Sequence, residues 1–193
     1  MKNAIILHGC PSKQEYYDPA TPSESNSHWL PWLQKQLIVK DILAVTPEVP
    51  FAFDRNWAVW QKEVERFDMG PDTKLVGHST GAGFWIKYLS IHPELKVNKV
   101  VLVAPWLDPF QEHTKNFFDD FKIDKGLVSR TAGVTVFYSD DDQADILKTV
   151  DIVREQVTSI KFKEFHGYKH FCFGDMKTIE FPELLEEVAA KLS

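Results

Sequence analysis

Candidate strands alternate with helical patterns along this chain, and that alternation limits the fold more than any other feature. The candidate strands cover residues 4–7, 42–45, 74–76, 99–104, 134–138 and 160–165. Apolar residues recur at helical spacing in segments 28–39, 55–67, 81–91, 144–156 and 182–192. Such an order forms βαβ units, and strands without polar alternation are covered on both faces. The sequence therefore predicts a compact, six-stranded, mainly parallel α/β sheet with helices on both faces, in one domain over residues 1–193.

The composition excludes several classes of protein. A net charge of −6 over 193 residues lacks the basic footprint of nucleic-acid-binding proteins. The two cysteines, Cys10 and Cys172, are too few for a disulfide framework, and no CxxC pair indicates zinc. No apolar run approaches the roughly 18 residues of a membrane span, and the run before His8 is too short for a secretory signal. We therefore expect a cytoplasmic protein without nucleic-acid or membrane partners.

Polar and glycine-rich segments follow four of the candidate strands. They are HGC at 8–10, GHSTG at 77–81, SDDD at 139–142 and HGYKH at 166–170. In open parallel sheets the functional site lies at the carboxyl ends of the strands. These four segments are therefore expected to meet at one edge of the sheet and to form the site.

The segment GHSTG matches the nucleophile-elbow pattern G-x-S-x-G, with Ser79 between Gly77 and Gly81. It follows an apolar strand and opens a helical pattern, which is the context that the motif requires. The small flanking residues allow the strand and helix to approach closely. Ser79 is therefore the predicted nucleophile, against the alternative of a glycine-rich turn without chemistry.

A serine nucleophile needs a base, and in this architecture the order is serine, then acid, then histidine. His166 and His170 are the two histidines that follow the acidic run. His170 lies farther into the loop and is the preferred base. Among the three consecutive aspartates, position alone does not separate Asp141 from Asp142 as the acid that orients the imidazole.

Two backbone amides are expected to form the oxyanion hole, those of Thr80 and Cys10.

The segment 105–132 is rich in aromatic residues, and it either packs in the core or forms a short lid. Phe171 beside the base is expected to shield its ring. The candidate residues of the substrate pocket are His8, His28, Trp106 and Phe171.

With these residues placed, the chain resembles the small α/β-hydrolases of the retinoblastoma-binding-protein-9-like, YdeN-type family. The resemblance covers nearly the whole chain. It rests on IILHG at 5–9, HWLPWL at 28–33, VGHSTG at 76–81, SDDDQ at 139–143 and GYKHF at 167–171. It implies a nearly capless α/β-hydrolase fold and assigns the triad to Ser79, Asp142 and His170. The family's usual glycine before the histidine is Lys169 here, and the loop over residues 11–27 is long and expected to narrow access.

The resulting hypothesis is a serine hydrolase of the carboxylesterase type. It would cleave small carboxylic esters, with amides as a second class, through an acyl-enzyme on Ser79 and without a cofactor or metal ion. Two alternatives stay open. One is a non-catalytic module that binds a protein or ligand on a hydrolase scaffold. The other is an acyltransferase, which uses the same acyl-enzyme but excludes water.

Overall fold

The computed structural model of the protein describes residues 2–112, 115, 117–119 and 121–190. Its strands are β1 (Asn3–Leu7), β2 (Leu43–Val45), β3 (Thr73–His78), β4 (Lys99–Val103), β5 (Val134–Ser139) and β6 (Lys161–Phe165). Its α-helices are α1 (Lys13–Tyr17), α2 (Leu30–Val39), α3 (Trp57–Val64), α4 (Thr80–Ile91), α5 (Ala144–Gln156), α6 (Phe173–Met176) and α7 (Pro182–Ala189). No helix of this described part is both long and apolar enough to cross a membrane.

All six strands form one sheet in the order β2-β1-β3-β4-β5-β6, and every neighbouring pair is parallel. Successive residues of β3 and β4 are buried, and because they point to opposite faces, both faces of the sheet are covered. The predicted α/β-hydrolase sheet is therefore confirmed. The chain passes outward from β1 to β2 and then returns to β3 on the other side of β1. The strand order thus reverses between β1 and β3, where such sheets place their sites.

Several helices are shorter than the sequence pattern predicts, and local backbone geometry explains where they begin. Helix α2 begins at Leu30 because His28 is in the left-handed region, with φ 58°. Helix α3 begins after Asn56, whose side chain accepts a hydrogen bond from the Val59 amide and so caps the helix. Residues 191–192 of the last predicted helix lie outside the described residues.

The segment 11–27 is not a plain loop as predicted. Ser12 and Glu15 form a capping box that starts the short helix α1, with the Ser12 amide donating to Glu15 Oε2 at 2.8 Å. A 3-10 helix follows over Glu24–Asn26. The pattern S-x-x-E was visible in the sequence and is the local signal for this helix.

Several aromatic residues of segment 105–132 pack into the core, whereas Phe110 is exposed. Phe117 is fully buried, and its ring lies 5.7 Å from that of Trp57 and 5.5 Å from that of Trp60. The Lys87 ammonium, on α4, donates to the Phe117 carbonyl at 2.6 Å and so fastens the segment to α4. Residues 113, 114, 116 and 120 lie outside the described residues. The core-packing alternative therefore holds for Phe117 and its neighbour Phe118.

Candidate active site

Ser79 stands at the sharp turn between β3 and α4, with φ 54° and ψ −118°. This conformation is costly for a residue other than glycine, by about 1–3 kcal/mol, and persists only where the surroundings impose it. The Ser79 amide donates to the Val103 carbonyl at 2.9 Å, and the Ser79 carbonyl accepts from the Gly83 and Trp106 amides. These bonds to β4, α4 and the next loop hold the strained turn in place.

Glycines allow the turn to lie close to β1. A Cβ atom on Gly81 would meet the Leu7 carbonyl oxygen at 2.6 Å and would also collide with the His8 carbonyl oxygen. A Cβ atom on Gly9 would meet Ser79 Cβ at 3.2 Å. The loop after β1 therefore lies directly against Ser79, as expected for two segments that follow neighbouring parallel strands.

Two backbone amides beside Ser79 are without an acceptor in the described part of the chain, those of Cys10 and Thr80. Thr80 is the first residue of α4, so its amide has no partner within the helix. The Cys10 thiol points elsewhere and donates to the Ala52 carbonyl at 3.1 Å. Burial raises the pKa of that thiol to about 11, so Cys10 is not a thiolate at neutral pH.

His170 and Asp142 form a close pair. His170 Nδ1 lies 3.0 Å from Asp142 Oδ1 and 3.2 Å from Oδ2. The Asp142 side chain is 0% exposed and that of His170 is 19% exposed, so the pair is shielded while the imidazole keeps one open side. No hydrogen bond joins the hydroxyl of Ser79 to His170 in this structure, although both residues line one cleft.

The three consecutive aspartates have different partners. Asp141 accepts from Ser139 Oγ at 2.6 Å and from the Lys169 amide at 3.0 Å, so it braces the loop after β6 against the end of β5. The hydrogen bond from Ser139 is the main cause that lowers the pKa of Asp141. Asp140 pairs instead with His166, Nδ1 to Oδ2 at 2.7 Å, and both are exposed. Of the three, Asp142 alone contacts His170 among the described residues.

Asp140 and His166 also belong to a group of side chains whose ligand atoms lie close enough together to hold a metal ion. With Glu164 they place three such atoms within 4.8 Å of one another. All three side chains are exposed, and Glu164 already accepts a hydrogen bond from Tyr138 at 2.6 Å. The arrangement is a surface ion-pair network away from the cleft.

His78, which precedes Ser79, holds the backbone of His170. Its Nε2–H donates to the His170 carbonyl at 2.8 Å, and its ring centroid lies 5.1 Å from that of His170. Burial, followed by the His170 and His28 charges, sets the pKa of His78 well below the usual value, so its ring stays neutral. The peptide that it holds lies between Lys169 and Phe171, both in the left-handed region with φ 45° and 58°. Lys169 thus adopts a conformation that favours the family's usual glycine.

Ser79 and His170 open into a cleft of about 680 Å³, the main cleft. Gly9 and Cys10 from the loop after β1 line it on one side. Further lining comes from the 11–31 segment and from the region after His170, including Glu15, Glu24, His28, Cys172, Phe173 and Ile179. Burial is the largest cause that lowers the pKa of His28, so this ring is mainly neutral near pH 7.

Three of the four predicted pocket residues lie outside the main cleft, which corrects the prediction. His8 is fully buried and is fixed by the Val49 amide, which donates to its Nε2 at 2.9 Å. Trp106 donates from Nε1 to Asp145 Oδ2 at 2.7 Å and fastens segment 105–132 to α5. Phe171 is fully buried and stacked on an aromatic neighbour 5.6 Å away. His28 lines the cleft as predicted, and no described residue of 105–132 does.

The sequence did not single out the residues that line the cleft in their place. Glu15 and Glu24 come from the segment predicted to be a loop, and Phe173 and Ile179 follow the predicted base. The capping box marked Glu15 as a helical residue, but no sequence signal showed that either carboxylate faces the cleft. That information depends on how the segment folds back over Ser79.

Comparisons with known proteins agree with this architecture. A family profile described as serine hydrolase matches residues 20–159. YdeN of Bacillus subtilis (strain 168) is 25% identical over 166 residues, which cover 81% of this chain and 85% of that protein. The solved structure of the B. subtilis ydeN gene product superposes with a TM-score of 0.79 at 21% identity and covers 96% of both chains.

More distant solved structures share the fold. A bromoperoxidase from Bacillus anthracis has a TM-score of 0.63 at 11% identity, over 98% of this chain and 92% of that one. Est1E from Butyrivibrio proteoclasticus has a TM-score of 0.58 at 12% identity, over 98% of this chain and 89% of that one. These likenesses concern the arrangement of the sheet and helices.

Proposed function

The chain belongs to the serine hydrolase family, and on that basis we propose that it cleaves small carboxylic esters through an acyl-enzyme on Ser79. The observation that carries the proposal is the meeting of three features at one edge of the sheet. The strained Ser79 turn, His170 of the shielded His170–Asp142 pair and Cys10 border the main cleft, and Thr80 follows Ser79 directly at the start of α4. A glycine-rich turn without chemistry would need neither the pair nor the cleft.

In the proposed mechanism, His170 Nε2 takes the proton of the Ser79 hydroxyl as the oxygen attacks the ester carbonyl. Asp142 accepts the Nδ1–H of His170, fixes its tautomer and stabilises the imidazolium. The amides of Cys10 and Thr80 donate to the oxyanion of the tetrahedral intermediate. The imidazolium then protonates the leaving alcohol, and water activated by the same imidazole releases the acid and restores Ser79.

His170 must reach the Ser79 hydroxyl for this step. Ser79 and His170 line one cleft, and hydrogen bonds between a nucleophile and its base often tighten only in the substrate complex. The hydrogen bond from His78 limits how far the His170 backbone moves. The cleft holds a small-molecule ester, and amides follow as a slower class because their leaving group is poorer.

The proposal is tested by labelling with a fluorophosphonate probe, intact mass and peptide mapping. We expect one adduct on Ser79, which is lost in Ser79→Ala and in His170→Ala, and hydrolysis of short p-nitrophenyl esters by the unsubstituted protein alone. Ser129→Ala is the matched control, because Ser129 is exposed and lines no part of the main cleft. Circular dichroism must show that each variant is folded.

The same experiment separates the alternatives. A folded protein that forms no adduct and cleaves no ester would favour a binding module in place of an enzyme. An adduct with little hydrolysis, but with acyl transfer to an added alcohol or amine, would identify an acyltransferase. A Ser79→Ala variant with normal turnover would exclude Ser79 as the nucleophile.

A further inference from the structure

A second cavity adjoins the main cleft. It has a volume of about 390 Å³ and shares five lining residues with the cleft, namely Pro11, Glu15, Thr21, Pro22 and Glu24. We call it the side cavity. The side cavity therefore shares a wall with the cleft that Ser79 lines.

The side cavity is lined by carboxylates and aromatic rings. Its remaining lining includes Tyr16, Tyr17, Asp18 and Glu48. No lysine or arginine lines either cavity in the described part of the chain. Lys13 lies on α1 with Glu15, Tyr16 and Tyr17, but its ammonium is over the Phe53 ring, 5.8 Å from the centroid. The walls of the side cavity thus carry negative charge and aromatic faces without an internal cation.

The carboxylate of Glu24 is without a partner among the described residues. Glu15 accepts from the Ser12 amide at 2.8 Å, and Glu48 accepts from the Ser25 amide at 2.8 Å. Glu24 makes no such bond, and its partly buried carboxylate keeps contact with solvent at the shared wall. A cation placed beside Glu24 would supply the missing partner for a group that the fold leaves unpaired at the shared wall.

Tyr16 and Tyr17 provide the second attraction. Their rings lie 5.1 Å apart, edge to face, and both residues line the side cavity. An ammonium group close to such rings is attracted by their negative faces, more strongly when it is partly removed from water. Carboxylates and tyrosine rings at one cavity both favour a quaternary or protonated amine over a neutral group.

We propose that the substrate carries an ammonium group, which binds in the side cavity while the scissile carbonyl lies at Ser79. This inference rests on the proposed ester hydrolysis, because it adds the charge of the substrate to that reaction. It implies discrimination against anionic esters, since their charge would lie beside Glu15 and Glu24.

The test compares cationic esters with neutral isosteres of the same shape. One pair is an acylthiocholine and the thioester in which a tert-butyl carbon replaces the quaternary nitrogen. The second pair carries the same replacement at the end of the acyl chain. We expect kcat/KM to favour the cationic member of at least one pair by about tenfold, within the range of a partly desolvated cation–aromatic contact.

Glu24→Gln should lower that preference at least threefold, measured as the ratio of kcat/KM within each pair, so that a change in hydrolysis shared by both members cancels. Glu183→Gln is the matched control, because Glu183 is exposed on α7 and lines neither cavity. A preference near one in the unsubstituted protein, or an equal preference in both variants, would overturn the inference. In that case continued hydrolysis of the neutral ester would leave the proposed function intact.

Binding is measured separately, so that failure of catalysis does not leave the cavity untested. Calorimetric titration with tetramethylammonium should show weaker binding to Glu24→Gln than to the unsubstituted protein and Glu183→Gln, and no binding of tert-butanol in any of them. If no ester is cleaved but this pattern appears, the proposed function is wrong and the cation site stands. Equal tetramethylammonium affinities in all three proteins would contradict the cation site.

The pH dependence provides a readout that a structural role of Glu24 would not produce. Burial, and then repulsion from Glu48 and Glu15, raise the pKa of Glu24 to about 7. Because the carboxylate forms above that pKa, the preference of the unsubstituted protein for the cationic ester should rise between pH 6 and pH 8. The preference of Glu24→Gln should stay constant over the same range. The other titratable groups lining the two cavities include His28, His170, Asp18 and Cys172. The ratio within one pair of esters cancels effects of His170 that both members share.

Discussion

At the scale of single residues, neighbours with the same chemistry have different tasks. Asp140, Asp141 and Asp142 are consecutive, yet they contact an exposed histidine, a loop amide and the shielded His170. Position along the chain did not separate Asp141 from Asp142. The separation follows from the turn after β5, which directs only one of the three carboxylates toward His170.

Asp142→Asn should abolish most activity without unfolding the protein. The amide no longer accepts in the same way from His170 Nδ1, so the tautomer needed for proton transfer loses its support, and we expect kcat to fall about 10³- to 10⁴-fold. Steady-state kinetics with a p-nitrophenyl ester measures the change. Asp140→Asn is the control, since Asp140 pairs with exposed His166, and it should keep kcat within about twofold. Near-normal kcat in Asp142→Asn would remove Asp142 from the mechanism.

At the scale of elements, the turn between β3 and α4 depends on how closely α4 approaches β1. Gly81 lies so near the carbonyl oxygens of Leu7 and His8 that any side chain there displaces backbone. From its glycines, the sequence motif predicted a close approach of the helix to the strand before it. It did not show that the partner strand is β1, because strand order is a tertiary property.

Gly81→Ala should destabilise the protein by about 2–3 kcal/mol, because rigid backbone cannot yield to the added methyl group. Gly70→Ala is a close comparison, since a Cβ atom there meets no atom within 4 Å. Its free energy of unfolding should change by no more than about 0.5 kcal/mol. Chemical denaturation measures both values, and equal effects of the two substitutions would show that the turn accommodates a side chain.

At the scale of the whole molecule, one buried carboxylate joins the last helix to three strands. Glu187 on α7 accepts from Thr135 Oγ1 at 2.9 Å, from Lys99 Nζ at 2.6 Å and from Lys163 Nζ at 2.8 Å. Burial alone would raise its pKa, but the hydrogen bonds from Lys163, Lys99 and Thr135 outweigh it and lower the pKa to about 2. Helix α7 therefore anchors β4, β5 and β6 through one charge network.

Glu187→Gln should lower the free energy of unfolding at pH 7 by about 2 kcal/mol, since Lys99 is left nearly buried without a counter-charge. The pKa of Glu187 in the folded protein lies below the ordinary glutamate value of 4.5, so the stabilisation is present above about pH 4.5 and is lost as the pH falls toward 2. Denaturation at pH 7, 5, 4 and 3 should show a gap between the two proteins that narrows only below pH 4.5. Glu186→Gln, exposed on the same helix, should show no gap at any pH.

The strands and the turn at Ser79 could be predicted from the sequence, because the patterns that specify them involve residues close together in the chain. Hydrophobic periodicity predicted the six strands, and the motif at 77–81 predicted the turn at Ser79, since both depend on residues close together in the chain. The predicted helix ends were less accurate. Helix α2 begins two residues after its predicted start, because His28 adopts a left-handed conformation that the hydrophobic pattern does not indicate.

Tertiary structure alone decided which side chains face the cleft. His8 and Phe171 are adjacent to site loops in the sequence but are buried, whereas Glu15 and Glu24 reach the cleft from a segment that was predicted to be an irregular loop. Side-chain exposure depends on the packing of distant segments, and 145 residues separate His28 from its hydrogen-bond partner Phe173. The sequence therefore determined the predicted chemistry at Ser79, and the fold determined the charge and shape of the surface around it.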